Sequence, residues 1–389
     1  MSLSKERLIV IFAVPSIMRA FKFRANRRLT FDPSDFLRLV PWRILLAMNR
    51  KPEGLVNRRH FVAAGAGLSM QLASPAAHAQ TPTSPGSTRT LPPDSGLFKG
   101  FEAKWVRTKG ADIFLRHGGA GAPLLLMHGN PQSHTCWHQM AERLAQRFHV
   151  VAADLRGYGD SVGPNDGGKE HVNYSFRTMA QDQVDVMAAL GYQRFFVAGH
   201  DRGARTAHRM ALDHPDRVRK VALLDILPTR YVWGNTSREW ALNSWHWTFM
   251  AQPDELFERM MAAVPAREFV LRHLGRSGKP TFMDDRALAE YVRCFTPKTI
   301  HGSCEDYRAA AGIDLDDDEA DRKSGHKITA PALVLWGRRS HTGRFYGKDL
   351  LPVWREEANE VTGGALDTGH YLAEEAPLAV MEAFERFFI

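Results

Sequence analysis

Five short apolar runs, each ending in glycine or proline, recur along the middle of this 389-residue chain and constrain its fold more than any other feature. The runs are PLLLMHG, RFHVVAADLRG, RFFVAGHDRG, RKVALLDILP and APALVLWG, and stretches with helical patterning separate them. Such alternation indicates buried parallel strands in a doubly wound α/β sheet. Ahead of these runs, KWVRT and DIFLRH are predicted to pair as an antiparallel edge hairpin, and PLAVMEAFERFF is the predicted last helix.

The third run continues into VAGHDRGARTAHRM, residues 197–210, which predicts a tight strand-to-helix turn with Asp201 at its apex. The stretch has the outline Gly-x-Ser-x-Gly, but an aspartate stands where serine is expected. Gly199 and Gly203 leave room for close packing of strand and helix, and the helix amides behind the apex favour an anion. A carboxylate can attack an sp³ carbon that carries a leaving group, which forms a covalent ester. Asp201 therefore favours halide displacement or epoxide opening over acyl transfer.

Four loop motifs follow the predicted strands in an order that resembles the α/β hydrolases, namely His128–Pro131, Asp154–Ser161, the turn at Asp201, and Gly369-His370. The resemblance spans roughly residues 98–389, apart from an insertion interpreted below as a cap. It implies the α/β-hydrolase fold, with a mostly parallel eight-stranded sheet flanked by helices and a helical cap inserted after strand 6. We expect the cap at residues 228–327, between core segments at 98–227 and 328–389.

The ester on Asp201 must be hydrolysed, and His370 is predicted to be the base that activates water for this step. The loop RRSHTGR after the run APALVLWG contains no carboxylate, so we assign Asp225, at the end of the preceding strand, as the acid partner of His370. The backbone N–H groups of Asn130 and Arg202 are the predicted oxyanion hole, as the geometry of the fold provides.

Arg202 and Arg205 lie three residues apart at the start of the helix after Asp201, so they share a face and predict an anionic substrate. With these arginines, the chain resembles the haloacetate and fluoroacetate dehalogenases of this fold. The resemblance implies that the arginine pair binds the carboxylate of a 2-haloacid. It also implies that His246 and Trp247, in NSWHWTFM, and Tyr307, in CEDYRAAAGIDL, hydrogen-bond the departing halide.

Two other functions remain open from the sequence. An epoxide hydrolase uses the same Asp–His–Asp set, and its pair of cap tyrosines could come from Tyr231, Tyr291 and Tyr307. Arg202 argues against it, because a neutral epoxide needs no cationic clamp. A non-catalytic binding module for small carboxylates is the second alternative, and the complete set of Asp201, His370 and Asp225 argues against that.

The front of the chain is predicted to be an export signal. Asn57-Arg58-Arg59-His60-Phe61-Val62 resembles a twin-arginine motif, a mildly apolar run follows, and Ala77-His78-Ala79 offers a cleavage site. We therefore interpret residues 48–79 as a signal peptide, 80–97 as a flexible linker, and 1–47 as an over-extended start or a basic membrane-touching segment. The expected partner is the twin-arginine machinery and the expected location the periplasm, or the cytoplasm if the signal is not used.

Charge and cysteine content limit the remaining partners. Residues 1–79 contain 13 Lys and Arg and 4 Asp and Glu, whereas residues 80–389 contain 38 Lys and Arg and 39 Asp and Glu. The body of the protein therefore has no excess of positive charge that would attract nucleic acid. The three cysteines show no metal-binding spacing, and buried free thiols are favoured over a Cys294–Cys304 bridge. The expected ligands are a small anionic substrate and water, with no cofactor and no metal. A homodimer is compatible with the sequence, which does not decide the oligomeric state.

Overall fold

A computed structural model describes residues 89–275 and 278–389. The predictions for residues 1–88, including the signal peptide and its cleavage site, lie outside the described residues. The strands are β1 Glu102–Thr108, β2 Ala111–Gly118, β3 Ala122–Met127, β4 Phe148–Ala153, β5 Phe195–His200, β6 Val218–Leu224, β7 Ala332–Gly337 and β8 Val361–Leu366. Across these residues they form one eight-stranded sheet in the order β1-β2-β4-β3-β5-β6-β7-β8.

The sheet is mixed and mostly parallel. Strands β1 and β2 form an antiparallel hairpin, and β2 also pairs antiparallel with β4. Every other neighbouring pair, from β4–β3 to β7–β8, is parallel. The predicted fold class, with its antiparallel edge hairpin, is therefore confirmed.

Helices cover the sheet and fill the connection between β6 and β7. In chain order they are α1 His138–Leu144, α2 Phe176–Ala189, α3 Arg202–Asp213, α4 Thr229–Gly234, α5 Arg238–Asn243, α6 Trp245–Met250, α7 Leu256–Ala263, α8 Ala266–Gly275, α9 Asp285–Cys294, α10 Pro297–Ala310, α11 Ile313–Ser324, α12 His341–Phe345, α13 Leu351–Glu357, α14 Leu372–Glu375 and α15 Pro377–Phe388. Short 3₁₀ segments occupy His134–Trp137 and Lys169–Tyr174. In the part of the chain described here, no helix is both long and apolar enough to cross a bilayer.

Helices α4 to α11 form the helical insertion that was predicted after the sixth strand. Several of these helices begin at capping residues that the local sequence provides. Thr296 and Thr299 form a reciprocal capping box at the start of α10, with Pro297 in its first turn. Asp284 caps α9 by accepting from the amides of Arg286 and Ala287. These caps satisfy backbone donors that would otherwise lack partners at helix ends.

Two hydrophobic clusters pack on opposite faces of the sheet. Alternating strand residues divide between them, so that Leu125 and Met127 enter one cluster while Leu124 and Leu126 enter the other. Truncating a fully buried leucine such as Leu126 to alanine is expected to cost about 2–5 kcal/mol of unfolding free energy. The cysteines are buried and unpaired, which confirms the interpretation as free thiols.

The second half of the predicted linker contacts the folded body. Arg89 forms an ion pair with Asp112 at 2.6 Å, and Asp94 forms one with Arg116 at 2.9 Å. Leu97 is buried. From Arg89 onward, the segment predicted to be a linker therefore lies against the hairpin β1–β2 and its neighbours.

Candidate active site

Asp201 stands at the apex of the turn between β5 and α3, as the sequence predicted. Its φ is 47°, a left-handed conformation that a non-glycine residue rarely adopts. The turn is tight enough that a Cβ on Gly199 would lie 2.2 Å from the carbonyl oxygen of Gly203, which explains why glycine is needed there. The strained turn presents the carboxylate of Asp201 to a cavity at the carboxyl ends of the parallel strands.

The loop after β3 passes directly beside the nucleophile candidate. The backbone N–H of Asn130 donates to Asp201 Oδ2 at 3.0 Å, and a Cβ on Gly129 would lie 2.4 Å from Asp201 Cβ. The other predicted oxyanion donor is the amide of Arg202, the first residue of α3. The amide of Asn130 is thus already aimed at a carboxylate oxygen of Asp201, the oxygen on which charge would develop when water attacks an ester of that residue.

His370 and Asp225 form a hydrogen-bonded pair next to Asp201. His370 Nδ1 donates to Asp225 Oδ2 at 2.5 Å. The second oxygen of Asp225 accepts from the amide of Gly337 and the hydroxyl of Ser340, each at 2.8 Å. Because Nδ1 carries the donated proton, Nε2 of the neutral ring is the nitrogen able to accept a proton. Asp225 therefore holds the orientation and tautomer that a general base requires.

The charges around the site keep Asp201 ionised and His370 basic. Burial alone would raise the pKa of Asp201, but the positive charges of His370, Arg202 and Arg205 hold it well below its usual value. Burial lowers the pKa of His370, and the hydrogen bond to Asp225 together with the charges of Asp225 and Asp201 outweighs it, so the net pKa is raised. At neutral pH the site therefore contains an anionic nucleophile beside a histidine that titrates above its ordinary range.

The two predicted clamp arginines are both buried behind Asp201, but they differ in their partners. Arg202 binds Asp306 of α10 through two guanidinium nitrogens, with the Nε to Oδ2 distance at 2.7 Å. Arg205 Nη1 donates to the carbonyl oxygen of Leu227 at 2.9 Å and to Thr229 Oγ1 at 3.1 Å. Among the described residues, Arg202 Nη1 and Arg205 Nε have no acceptor, so one N–H group on each arginine is unsatisfied.

Electrostatic effects act on these arginines in opposite directions. Burial would lower the pKa of Arg202, and the charge and hydrogen bonds of Asp306 raise it above its usual value. Burial and the neighbouring charge of Arg202 lower the pKa of Arg205 to about 10, so Arg205 stays charged at neutral pH, and none of the described carboxylates forms an ion pair with it. An anion beside Arg205 would relieve this unfavourable charge.

Aromatic rings of the cap complete the surroundings of the arginines. The Arg202 guanidinium lies 4.1 Å from the ring centre of Tyr307, and the Arg205 guanidinium lies 4.6 Å from that of Trp247. Phe176 covers Arg202 from the core side at 4.7 Å. These rings exclude water from the guanidinium groups, which strengthens their interactions with any bound anion.

The structure brings His246, Trp247 and Tyr307 together, as the halide-pocket prediction requires. The ring centres of His246 and Trp247 lie 5.8 and 5.9 Å from that of Tyr307. Burial and the nearby His273 lower the pKa of His246 well below its usual value, so its ring is neutral and carries one N–H. Burial and the charge of Asp201 raise the pKa of Tyr307, which keeps its hydroxyl proton as a donor.

The cavity above Asp201 has a volume of about 320 Å³. His246, Trp247 and His370 line it together with Asp201, and Arg205 packs on the lining residue Trp247. Three further arginines line it, namely Arg272, Arg339 and Arg344. Asp201 and Glu375 are the carboxylates of the lining, and Arg339 pairs with Asp367, so arginines exceed carboxylates in the lining by one.

Three residues near Asp201 were missed in the sequence. Asp306 binds Arg202, the ring of His341 lies tilted against that of His370 with ring centres 4.8 Å apart, and His273 Nε2 accepts from the side-chain amide of Asn130 at 3.2 Å. The turn contains two arginines and one aspartate, which indicates that a carboxylate from another part of the chain must pair with one arginine. It did not indicate which of the many acidic cap residues this would be.

Comparison with known proteins agrees with this geometry. The α/β-hydrolase fold family matches residues 122–375, which is more than half of the chain. The chain belongs to the α/β-hydrolase family. A fluoroacetate dehalogenase from Burkholderia sp is 41% identical over 284 residues, covering 72% of this chain and 91% of the relative.

Two further relatives define the group more closely. A soluble epoxide hydrolase from Corynebacterium sp. (strain C12) is 35% identical over 276 residues, covering 69% of this chain and 91% of the relative. A crystal structure of an α/β-hydrolase-fold protein from Nostoc sp PCC 7120 is 52% identical, with a TM-score of 0.71, and covers 75% of this chain and 99% of that one. The chain is therefore a hydrolase of the group that contains dehalogenases and epoxide hydrolases.

Proposed function

We propose that this hydrolase removes halide from haloacetate-type 2-haloacids and releases 2-hydroxy acids through an ester on Asp201. One observation carries the proposal: Arg202 Nη1 and Arg205 Nε are buried beside an ionised carboxylate and have no acceptor among the described residues. Unsatisfied buried guanidinium donors are costly, and a substrate carboxylate would satisfy both. The 41% identity to a fluoroacetate dehalogenase supports the same substrate class.

The first step is a displacement at carbon. A carboxylate oxygen of Asp201 attacks C2 of the haloacid, the carbon–halogen bond breaks, and the halogen leaves with the bonding electron pair as halide. The clamp on the substrate carboxylate orients C2 and offsets the repulsion between two anions. The N–H groups of His246 and Trp247 and the hydroxyl of Tyr307 stabilise the charge that develops on the halide.

The second step is hydrolysis of the ester. His370 takes a proton from water while the water oxygen attacks the Asp201 carbonyl carbon. The amides of Asn130 and Arg202 stabilise the resulting oxyanion. Its collapse releases the 2-hydroxy acid and regenerates the Asp201 carboxylate, with one oxygen from water. Loss of the proton from His370 then completes the cycle.

Epoxide hydrolysis is the second candidate, because the same nucleophile and base would serve it and a 35% identical relative is an epoxide hydrolase. The cap tyrosines argue against it. Tyr291 donates to Glu374 at 3.0 Å, and the ring of Tyr231 packs on Tyr346, while neither lines the cavity. Tyr307 is thus left without a second cap tyrosine for protonating an opening epoxide, and the hydroxyl of Tyr371, which lines the cavity outside the cap, donates to the carbonyl oxygen of His273 at 3.1 Å. A binding module for small carboxylates would have no use for the pair His370–Asp225.

The deciding experiment compares chloroacetate with styrene oxide, measuring chloride and diol release by the full-length protein. We expect chloride from chloroacetate at a rate that far exceeds diol formation. Single turnover in H₂¹⁸O should place ¹⁸O in Asp201. Diol formation without chloride release would establish the epoxide hydrolase instead, and binding of chloroacetate without turnover would establish the binding module.

A substrate pair of equal shape tests the arginine clamp. Arg205→Gln should lower kcat/KM for chloroacetate by roughly 10–100-fold, since a lost charge-assisted hydrogen bond costs about 1.5–3 kcal/mol. Chloroacetamide carries no charge and should lose much less. Equal losses for both substrates would contradict a carboxylate clamp.

A further inference from the structure

His341 lines the cavity above Asp201 but has no part in the proposed reaction. It is the first residue of α12, whose N-cap Ser340 also donates to Asp225. One ring nitrogen of His341, one ring nitrogen of His370 and a carboxylate oxygen of Asp225 lie within 4.8 Å of one another. Two imidazoles and a carboxylate converging at a cavity wall are a donor set that divalent transition metals bind.

The spacing of the ligand atoms and the hydrogen bonds that hold Asp225 both suit Zn²⁺. Ligand atoms of a tetrahedral zinc site lie about 3.3 Å apart, which modest side-chain rotations from the present positions would achieve. The amide of Gly337 and the hydroxyl of Ser340 hold the second oxygen of Asp225, so the carboxylate is already oriented by supporting hydrogen bonds. Because His341 and His370 line the cavity, a fourth position would face the space where substrate and water bind.

We propose that His341, His370 and Asp225 form an inhibitory site for a divalent transition metal ion, with Zn²⁺ as the probe. A metal ion coordinates the lone pair of a deprotonated ring nitrogen, and a coordinated His370 can no longer take a proton from water. It also competes for Asp225, which otherwise orients His370. The ion is no cofactor of the proposed reaction, since its binding disables the residue that activates water.

A second histidine–carboxylate cluster in the cap shows what makes this site different. Glu258, His301 and Glu305 are equally close together, but Arg308 Nη1 donates to both glutamates at 2.6 Å. A guanidinium already neutralises those carboxylates and occupies the space between them. At the cavity site, the ion-pair partner of Asp225 among the described residues is His370 itself, which is one of the three ligands.

The test uses the full chain freed of metal with EDTA, and it has two independent readouts. Co²⁺ titration should produce the visible absorption of a tetrahedral cobalt site, and Zn²⁺ should inhibit halide release reversibly on addition of EDTA. His341→Phe keeps a ring beside His370 and removes the nitrogens, and its halide release with Zn²⁺ is compared with its own metal-free rate. Metal affinity should fall by more than about 100-fold, because even supporting partners of metal ligands are worth roughly 10–100-fold. His341→Gln provides the same comparison if the phenylalanine variant does not fold.

His326→Phe is the matched control, because His326 is an exposed histidine that pairs with Asp321 at 2.9 Å and does not line the cavity. It should bind Co²⁺ and respond to Zn²⁺ as the unmodified protein does. Unchanged zinc sensitivity in the His341 variants, or absence of a cobalt spectrum in the unmodified protein, would overturn the site. Cobalt binding without zinc inhibition would overturn the inhibitory role. Failure of the haloacid activity would refute the proposed function, and the cobalt titration would still decide the metal site.

Discussion

Replacing Asp306 by asparagine should destabilise the protein through a single uncompensated charge. Both Asp306 and Arg202 are fully buried, and the carboxylate accepts from Arg202 and from the hydroxyl of Tyr158, the latter at 2.5 Å. Asparagine keeps the volume but turns one acceptor into an N–H₂ group facing the guanidinium. Breaking a buried ion pair from one side costs about 3–5 kcal/mol. The nearby Asp201 charge offsets part of the loss, so we expect about 3 kcal/mol.

Urea unfolding at neutral pH measures this loss, and a thermal melt should show a midpoint lower by roughly 4–6 °C for a domain of about 300 residues. Asp160→Asn is the matched control. It breaks another ion pair between core and cap, with Arg293, but there the side chains are partly exposed and Glu290 remains as a partner. Its cost should stay below about 1 kcal/mol. A loss for Asp306→Asn as small as the control's would refute the reasoning that Arg202 depends on Asp306 in a dry environment.

Four further predictions concern the reaction and the leader. His370→Ala should accumulate the ester on Asp201, visible by mass spectrometry of the intact protein, because only the second step needs the base; sustained normal turnover would contradict this. Ester hydrolysis should rise with pH through the pKa of His370, since the neutral ring is the active form and Asp201 stays ionised throughout. The pH midpoint of ester hydrolysis, measured in single turnover, should lie below the His370 pKa measured by NMR in the free enzyme. The reason is that esterification removes the negative charge of Asp201, which helps to raise the His370 pKa. A pH midpoint at or above the NMR value would disprove this coupling. Trp247→Phe and Tyr307→Phe should each cost about 3–4 kcal/mol on fluoroacetate and less on bromoacetate, as the kcat/KM ratios would show, because fluoride concentrates its charge; equal losses would mean that these residues only shape the cap. N-terminal sequencing of exported material should begin near Gln80, and a mature chain that keeps Met1 would exclude cleavage.

Much of the core could be predicted from the chain because the evidence is local. A strand that is buried on both faces has a short apolar sequence, which predicts strands β3 to β7. A tight turn into a helix needs glycines at fixed offsets, which predicts the position of Asp201. Asp225 could be assigned as the partner of His370 because the alternative loop, RRSHTGR, contains no carboxylate. The 2.5 Å hydrogen bond between them agrees with that assignment.

The surroundings of the arginines depend on tertiary contacts that no local pattern encodes. Asp306 reaches Arg202 across 104 positions of sequence, and the cap contains many other acidic residues with the same local features. Which of them enters the core depends on how α10 packs over α3, because only there does burial make an unpaired guanidinium too costly. His341 likewise meets His370 because two separate loops end at the same edge of the sheet. The sequence alone thus determined the sheet, the turn and the chemical types at the site, since these depend on neighbours along the chain. The tertiary structure decided which charges are paired, which donors stay free, and which histidines share a cavity.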